Sequence, residues 1–261
     1  MGIVNATPDS FSDGGRCLDP DAAIRHALAL REDGADILDV GGESTRPGAS
    51  PVSIDEELRR VLPIVEGLVR ESCVVSIDTR KPEVMRAAIA SGAAIVNDVM
   101  ALRAPGAVEV VAASDAAVCL MHMQGEPASM QAAPHYDDVV GEVGSFLAVR
   151  VEACLAAGIG RARIIVDPGF GFGKDLRHNL ALLRCLDQLA DLGLPVLAGL
   201  SRKSMLGTLT GRGVEEREFA GVAAHLAAVA RGARIVRVHN VAAMRDALAV
   251  WNAVEEEADG T

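Results

Sequence analysis

The 261 residues predict an α/β chain: a single-domain (β/α)₈ TIM barrel over residues 1–254, followed by an acidic C-terminal tail at 255–261. Three observations carry this. Short apolar runs rich in β-branched residues recur eight times and alternate with stretches of helical periodicity. Nearly every run ends in a polar residue and a Gly-rich loop, and in a barrel those ends share one mouth. No internal repeat, linker or composition break divides the chain. A doubly wound open sheet is the rival, but it would gather its polar groups at one switch point.

In order, Gly2–Asn5 reads as a strand, followed by a loop over 6–15 and a helix over Pro20–Asp33, with Asp19 as cap, Pro20 at its first position and Gly34 as stop. Asp36–Val40 is the second strand. Its loop, Gly41-Gly-Glu-Ser-Thr-Arg-Pro-Gly48, leads to a helix with Ser53 and Glu56 as a capping box and Pro63 as an expected kink. Val74–Ile77, Ala94–Val96 and Ala117–Met121 are strands three to five, ending at Asp78, Asn97 and His122. A long helix is expected from Tyr136 to Ala157. Ile164–Val166 is a fully apolar strand that stops at Asp167, before Pro168 and three alternating glycines. A helix over Asn179–Leu189, a strand over Val196–Gly199, a helix over Glu215–Arg231, a strand over Ile235–Val238 and a helix reaching Trp251 complete the pattern.

Half of the residues are apolar, only 3% are aromatic, and the net charge is -11. Such a surface argues against nucleic acid and membranes as partners, so an anionic ligand needs a local cluster of basic groups. The five cysteines are scattered without a CxxC, which suits reduced thiols in the cytoplasm. No leader, myristoylation motif or membrane span is read.

The strand ends would bring Asn5, Thr45, Arg46, Asp78, Asn97, His122, Asp167, Lys203, Arg237 and His239 to one cleft. Asp78, Asn97 and Asp167 suit a heterocycle rich in N–H donors, whereas Asn5, Thr45, Arg46, Arg237 and His239 suit an anion, with or without a divalent metal. Lys203 fits either group. Taken singly, Asp78 reads equally as a helix cap, Asp167 as a turn residue and Arg46 as an exposed loop charge. The Gly169–Lys174 loop is not a P-loop, because Lys174 precedes Asp175 rather than Ser or Thr. Neither HExxH nor Gly-x-Ser-x-Gly is present, and His26, His135, His178 and His225 read as surface or packing residues.

Eight segments resemble bacterial dihydropteroate synthases. They are residues 1–15 (Met-Gly-Ile-Val-Asn through Asp-Gly-Gly), Asp39–Ala49, Ser76–Thr79, Asn97-Asp98, Met121–Gly125, Asp167–Lys174, Ser201–Ser204 and Arg237–His239. The resemblance implies a dimeric TIM-barrel enzyme that joins 6-hydroxymethyl-7,8-dihydropterin pyrophosphate to p-aminobenzoate in folate synthesis, with Mg²⁺ as cofactor and sulfonamides competing with the amine. By the same resemblance Asp78, Asn97, Met121, Asp167 and Lys203 hold the pterin, and Asn5 meets the metal and the pyrophosphate with Thr45, Arg237 and His239. Phe172, Ser201 and Arg202 lie near p-aminobenzoate, closed over by Asp9, Ser10, Phe11, Arg46 and Pro47.

Family members usually carry a segment before the first strand that closes the barrel floor; here that strand begins at Gly2, which bears on stability more than on chemistry. Asn240 stands where the family usually has Asp, and either residue caps a helix well. Two other readings are a pterin-binding methyltransferase module, which has no need of the Thr45–Pro47 and Ser201–Ser204 loops, and a non-catalytic paralogue, which should have lost anion-site residues that are intact here.

Overall fold

The computed structural model describes residues 1–7, 19–44, 51–125, 130–131 and 133–258. Its strands are β1 (Gly2–Asn5), β2 (Leu38–Gly41), β3 (Val75–Asp78), β4 (Ile95–Asp98), β5 (Ala117–Met121), β6 (Ile164–Asp167), β7 (Val196–Ala198) and β8 (Ala233–Val236). All eight lie parallel in one sheet, in the order of the sequence. The sheet curls until its edges meet: Ile3 N donates to Val238 O and Val238 N to Met1 O, each at 3.0 Å.

The helices are α1 (Pro20–Glu32), α2 (Ile54–Arg70), α3 (Pro82–Ala90), α4 (Ala107–Ala112), α5 (Val139–Ala156), α6 (Leu176–Arg184), α7 (Asp187–Ala190), α8 (Ser204–Thr210), α9 (Glu218–Val229) and α10 (Val241–Ala258). Their starts follow local chemistry. Asp19 Oδ1 accepts from Asp21 N at 3.0 Å, and Pro20 needs no partner for a first-turn N–H. Asn240 Oδ1 accepts from Ala243 N at 3.0 Å, so asparagine caps α10 as expected.

Several boundaries differ from the periodicity. Ser53 Oγ accepts from Glu56 N, but the Glu56 carboxylate turns outward to Arg59 and Arg60, so the box is half made. Helix α2 runs through Pro63 as one span. The long helix starts at Val139, capped by Asp138, because Tyr136 instead donates its hydroxyl to Gly173 O at 2.9 Å. The helix expected over Asn179–Leu189 starts earlier, where Asp175 and His178 form a capping box, and breaks at Cys185 into α6 and α7. A short turn at Val214–Glu216 precedes α9, and α8 follows Lys203 as an additional helix. Helix α10 continues past Trp251 to Ala258 through three glutamates, which are good helix formers.

Apolar side chains form three clusters. The largest lies between sheet and helices and includes Val40, Ile64, Leu68, Ile77, Leu120, Leu147 and Val166. A small one, Met1, Cys119, Ile165 and Leu197, comes from strand positions that alternate with those. The third, Val99, Met121, Met123 and Met130 with Phe172 against it, gathers residues from strand ends and the loops after them. Among the described residues no helix is long and apolar enough to cross a membrane.

Leu120 is fully buried in the outer cluster. Leu120→Ala is expected to lower the unfolding free energy by about 2–5 kcal/mol in denaturant titration.

Candidate active site

Strand register sets the site. Asn5 lies beside Gly41, Gly41 beside Asp78, and Asp78 beside Asn97, so four neighbouring strands end at one level. Gly41 leaves that level open, and a Cβ there would touch Asp78 Cβ at 3.4 Å. On the far side Met121 lies beside Asp167. Arg237, one residue beyond β8, reaches back across the opening.

Its guanidinium forks between two carboxylates. Arg237 Nη2 donates to Asp78 Oδ2 at 2.7 Å and Nε donates to Asp39 Oδ2 at 2.6 Å. The same Asp39 oxygen accepts from Asn97 Nδ2 at 3.1 Å. Burial raises the Asp78 carboxyl to about 7, against the opposing pull of Arg237. The two carboxylates raise the Arg237 pKa above its ordinary value despite its burial, so the guanidinium is permanently charged.

Asp167 sits at the root of the glycine loop. Its Oδ1 accepts from Gly169 N at 2.7 Å. Burial raises its carboxyl to about 6, opposed by that N–H and by Lys203. Burial lowers the Lys203 ammonium to about 8, with Asp167 pulling the other way. Lys203 Nζ stands 4.1 Å from the Phe172 ring centroid, a cation–π contact. The loops after β5 and β6 touch backbone to backbone: a Cβ on Gly169 (φ +68°) would collide with His122 O, and one on Gly173 (φ +63°) with Gln124 O. Lys174 binds the two loops together. It is 2% exposed, and its Nζ lies 2.9 Å from His122 Nδ1 and 3.0 Å from both Gly169 O and Phe172 O. Burial lowers Lys174 to about 7 and His122 to about 3, which keeps the imidazole neutral beside it. His122 therefore serves this clamp rather than the open cleft.

Opposite, Ser201 Oγ lies 2.9 Å from His239 Nδ1 and accepts from His239 N at 3.3 Å, so two residues expected in different subsites are in contact. Arg202 has a left-handed backbone (φ +60°), and its carbonyl accepts from Arg217 Nη1 at 3.2 Å. Behind β3, Lys81 bridges Glu43 (2.6 Å) and the fully buried Glu57, which also accepts from Thr79 Oγ1 at 2.6 Å.

The structure thus brings together Asn5, Asp78, Asn97, Met121, Asp167, Phe172, Lys203 and Arg237, with Ser201, Arg202 and His239 following β7 and β8. Asp9, Ser10, Phe11, Thr45, Arg46 and Pro47 lie outside the described residues. Asp39 and the clamping role of Lys174 were missed. Alternation gave a signal for Asp39: it shares a strand face with Gly41, and a carboxylate on a buried face requires a partner.

The sequence profile of the pterin-binding enzyme family matches residues 1–239. The dihydropteroate synthase of Neisseria meningitidis serogroup B is 54% identical over 261 residues, covering 97% of this chain and 92% of the relative. Two structures of the Xanthomonas albilineans dihydropteroate synthase also match. The one with 4-aminobenzoic acid is 57% identical with a TM-score of 0.92, and the one with 7,8-dihydropteroate is 54% identical with a TM-score of 0.89. Each covers 98% of this chain and 92% of the solved chain. With its strand ends carrying this constellation and nearly its whole length matched, the chain belongs to the pterin-binding enzyme family, among the dihydropteroate synthases.

Proposed function

We propose that this chain, a single domain folded as a (β/α)₈ barrel, joins 6-hydroxymethyl-7,8-dihydropterin pyrophosphate to p-aminobenzoate, yielding 7,8-dihydropteroate and pyrophosphate for folate synthesis in the cytoplasm. The observation that carries this reading is the meeting of Asp78, Asn97 and Asp167 with Lys203 and Arg237 around one opening. Buried acceptors suit ring N–H donors, and adjoining fixed cations suit a diphosphate. Met121 and Phe172 offer apolar faces for the rings.

In the proposed step the C–O bond to pyrophosphate breaks first, and its electron pair leaves on oxygen. The electron-rich dihydropterin ring spreads the positive charge left on the methylene. Asp78 and Asp167, held in place before the ligand arrives, favour that charge electrostatically. Arg237 offers its remaining N–H groups, and His239 its ring, to the departing diphosphate. The amine lone pair of p-aminobenzoate then forms the C–N bond, and the amine proton passes to water. Ser201, Arg202 and Phe172 are assigned to the amine side.

Among the described residues no group of three His, Cys, Asp or Glu side chains is placed to hold a metal ion. Mg²⁺ commonly takes few protein ligands and completes its shell with phosphate oxygens and water. The Asn5 amide oxygen, a hard donor at the end of β1, fits such an ion. Mg²⁺ bound there with the diphosphate supplies neutralisation of leaving-group charge.

A homodimer is part of the proposal. Phe219 on α9 is 87% exposed and Val250 on α10 67% exposed, apolar side chains that suit a second copy of this chain. Sedimentation equilibrium is expected to give twice the monomer mass; a monomer at micromolar concentration would remove this element alone.

Pyrophosphate release is expected only when both substrates and Mg²⁺ are present. Asp78→Ala and Arg237→Ala are each expected to lower kcat/KM for the pterin substrate by about 10²-fold or more, because the first removes an acceptor aimed at the ring and the second leaves Asp39 and Asp78 without their shared cation. Full activity in either variant would refute that residue's role.

The raised carboxyls give the pH dependence. The acceptor forms of Asp167 and Asp78 are lost as pH falls through about 7 to about 6, so pterin affinity is expected to rise between pH 5.5 and 7.5. It is expected to decline above pH 8, as Lys203 loses its proton. Calorimetric titration across this range reads both limbs, and a flat profile would contradict the assignment.

A further inference from the structure

Asp39 contacts two residues of the proposed pterin site without standing at the strand-end level itself. It pairs with Ser76 in register, two residues before the level of Gly41, Asp78 and Asn97. It is fully buried, and one of its oxygens, Oδ2, receives both Arg237 Nε and Asn97 Nδ2. The other, Oδ1, has no hydrogen-bond partner among the described residues, and neither does the neighbouring Ser76 Oγ. A bare buried acceptor destabilises the fold, and a carboxylate does so more than a neutral group. A strand interior built for stability alone would carry an apolar residue at this position.

The two bonds Asp39 accepts have a directional result. An asparagine amide can present either its oxygen or its NH₂ to a ligand. Asp39 lies toward the start of the strands and accepts only from nitrogen, so it draws Asn97 Nδ2 inward. Oδ1 is then the amide atom left for the mouth. The same oxygen takes the Nε–H of Arg237, Asp78 takes Nη2, and Nη1 is left for the cleft.

We propose that Asp39 is a positioning residue that determines ring specificity, by fixing Asn97 as a hydrogen-bond acceptor and Arg237 as a donor toward the bound pterin. The inference rests on the pterin reading of this site and deepens it. It separates Asp39 from Asp78 and Asp167, which face the ligand themselves: Asp39 acts through its two partners and needs to supply an acceptor at one point rather than a charge.

Binding of 6-hydroxymethylpterin, measured by calorimetry, tests this in the intact chain. Asp39→Asn can keep an oxygen where Oδ2 stands, and Asp39→Leu cannot. The dissociation constant is expected to stay within about fivefold of wild type for Asp39→Asn, and to rise by about tenfold or more for Asp39→Leu. In steady-state assays Asp39→Leu is expected to raise KM for the pterin substrate while leaving KM for p-aminobenzoate unchanged, a split that general loosening of the fold would not produce. A folded Asp39→Leu variant that binds pterin like wild type would overturn the proposal. Where Asp39→Leu fails to fold, Asp39→Asn decides alone, and a tenfold weakening would count against an acceptor role. Failure of the wild-type protein to bind the pterin would instead refute the proposed function.

Discussion

The fork of Arg237 between Asp39 and Asp78 is the contact on which the site depends. It ties the end of the chain to residues 198 and 159 positions earlier, and so joins β8 to β2 and β3 across the opening. Where water is largely excluded, each carboxylate needs the guanidinium and the guanidinium needs both. Asn97 is drawn in through Asp39, and Asp78 is aimed through Arg237. In a protein with net charge -11, Arg237 and Lys203 are cations fixed at the opening, each held beside carboxylates.

The rest of the mouth is ordered by different chemistry. On the β5–β6 side, backbone approach at Gly169 and Gly173 and the multiple contacts of Lys174 hold two loops as one piece. On the β2–β3 side, Lys81 lies between Glu43 and the buried Glu57. A buried polar group is tolerated in each place because several partners surround it.

Much of this was legible in the sequence, because strand periodicity places polar residues at strand ends and those ends share one mouth. Asn5, Asp78, Asn97 and Asp167 are readable on that ground, and all eight strands overlap the apolar runs, although β2 starts at Leu38 rather than Asp36 and β8 covers Ala233–Val236 rather than Ile235–Val238. Alternation marks Asp39 as a carboxylate on a buried strand face, but the partner that gives it meaning lies far away in sequence. The clamping role of Lys174 leaves no trace in the sequence, since its acceptors are mostly carbonyls that carry no residue identity. Helix ends are the least legible: apolar periodicity marks neither the break at Cys185 nor the run of α10 to Ala258.

The Lys174 clamp has a thermodynamic consequence. A wall whose backbone is fixed by its own contacts surrenders little conformational freedom when a flat ring settles against it. That side of the mouth is preorganised, and the cost of ordering it falls on folding rather than on binding.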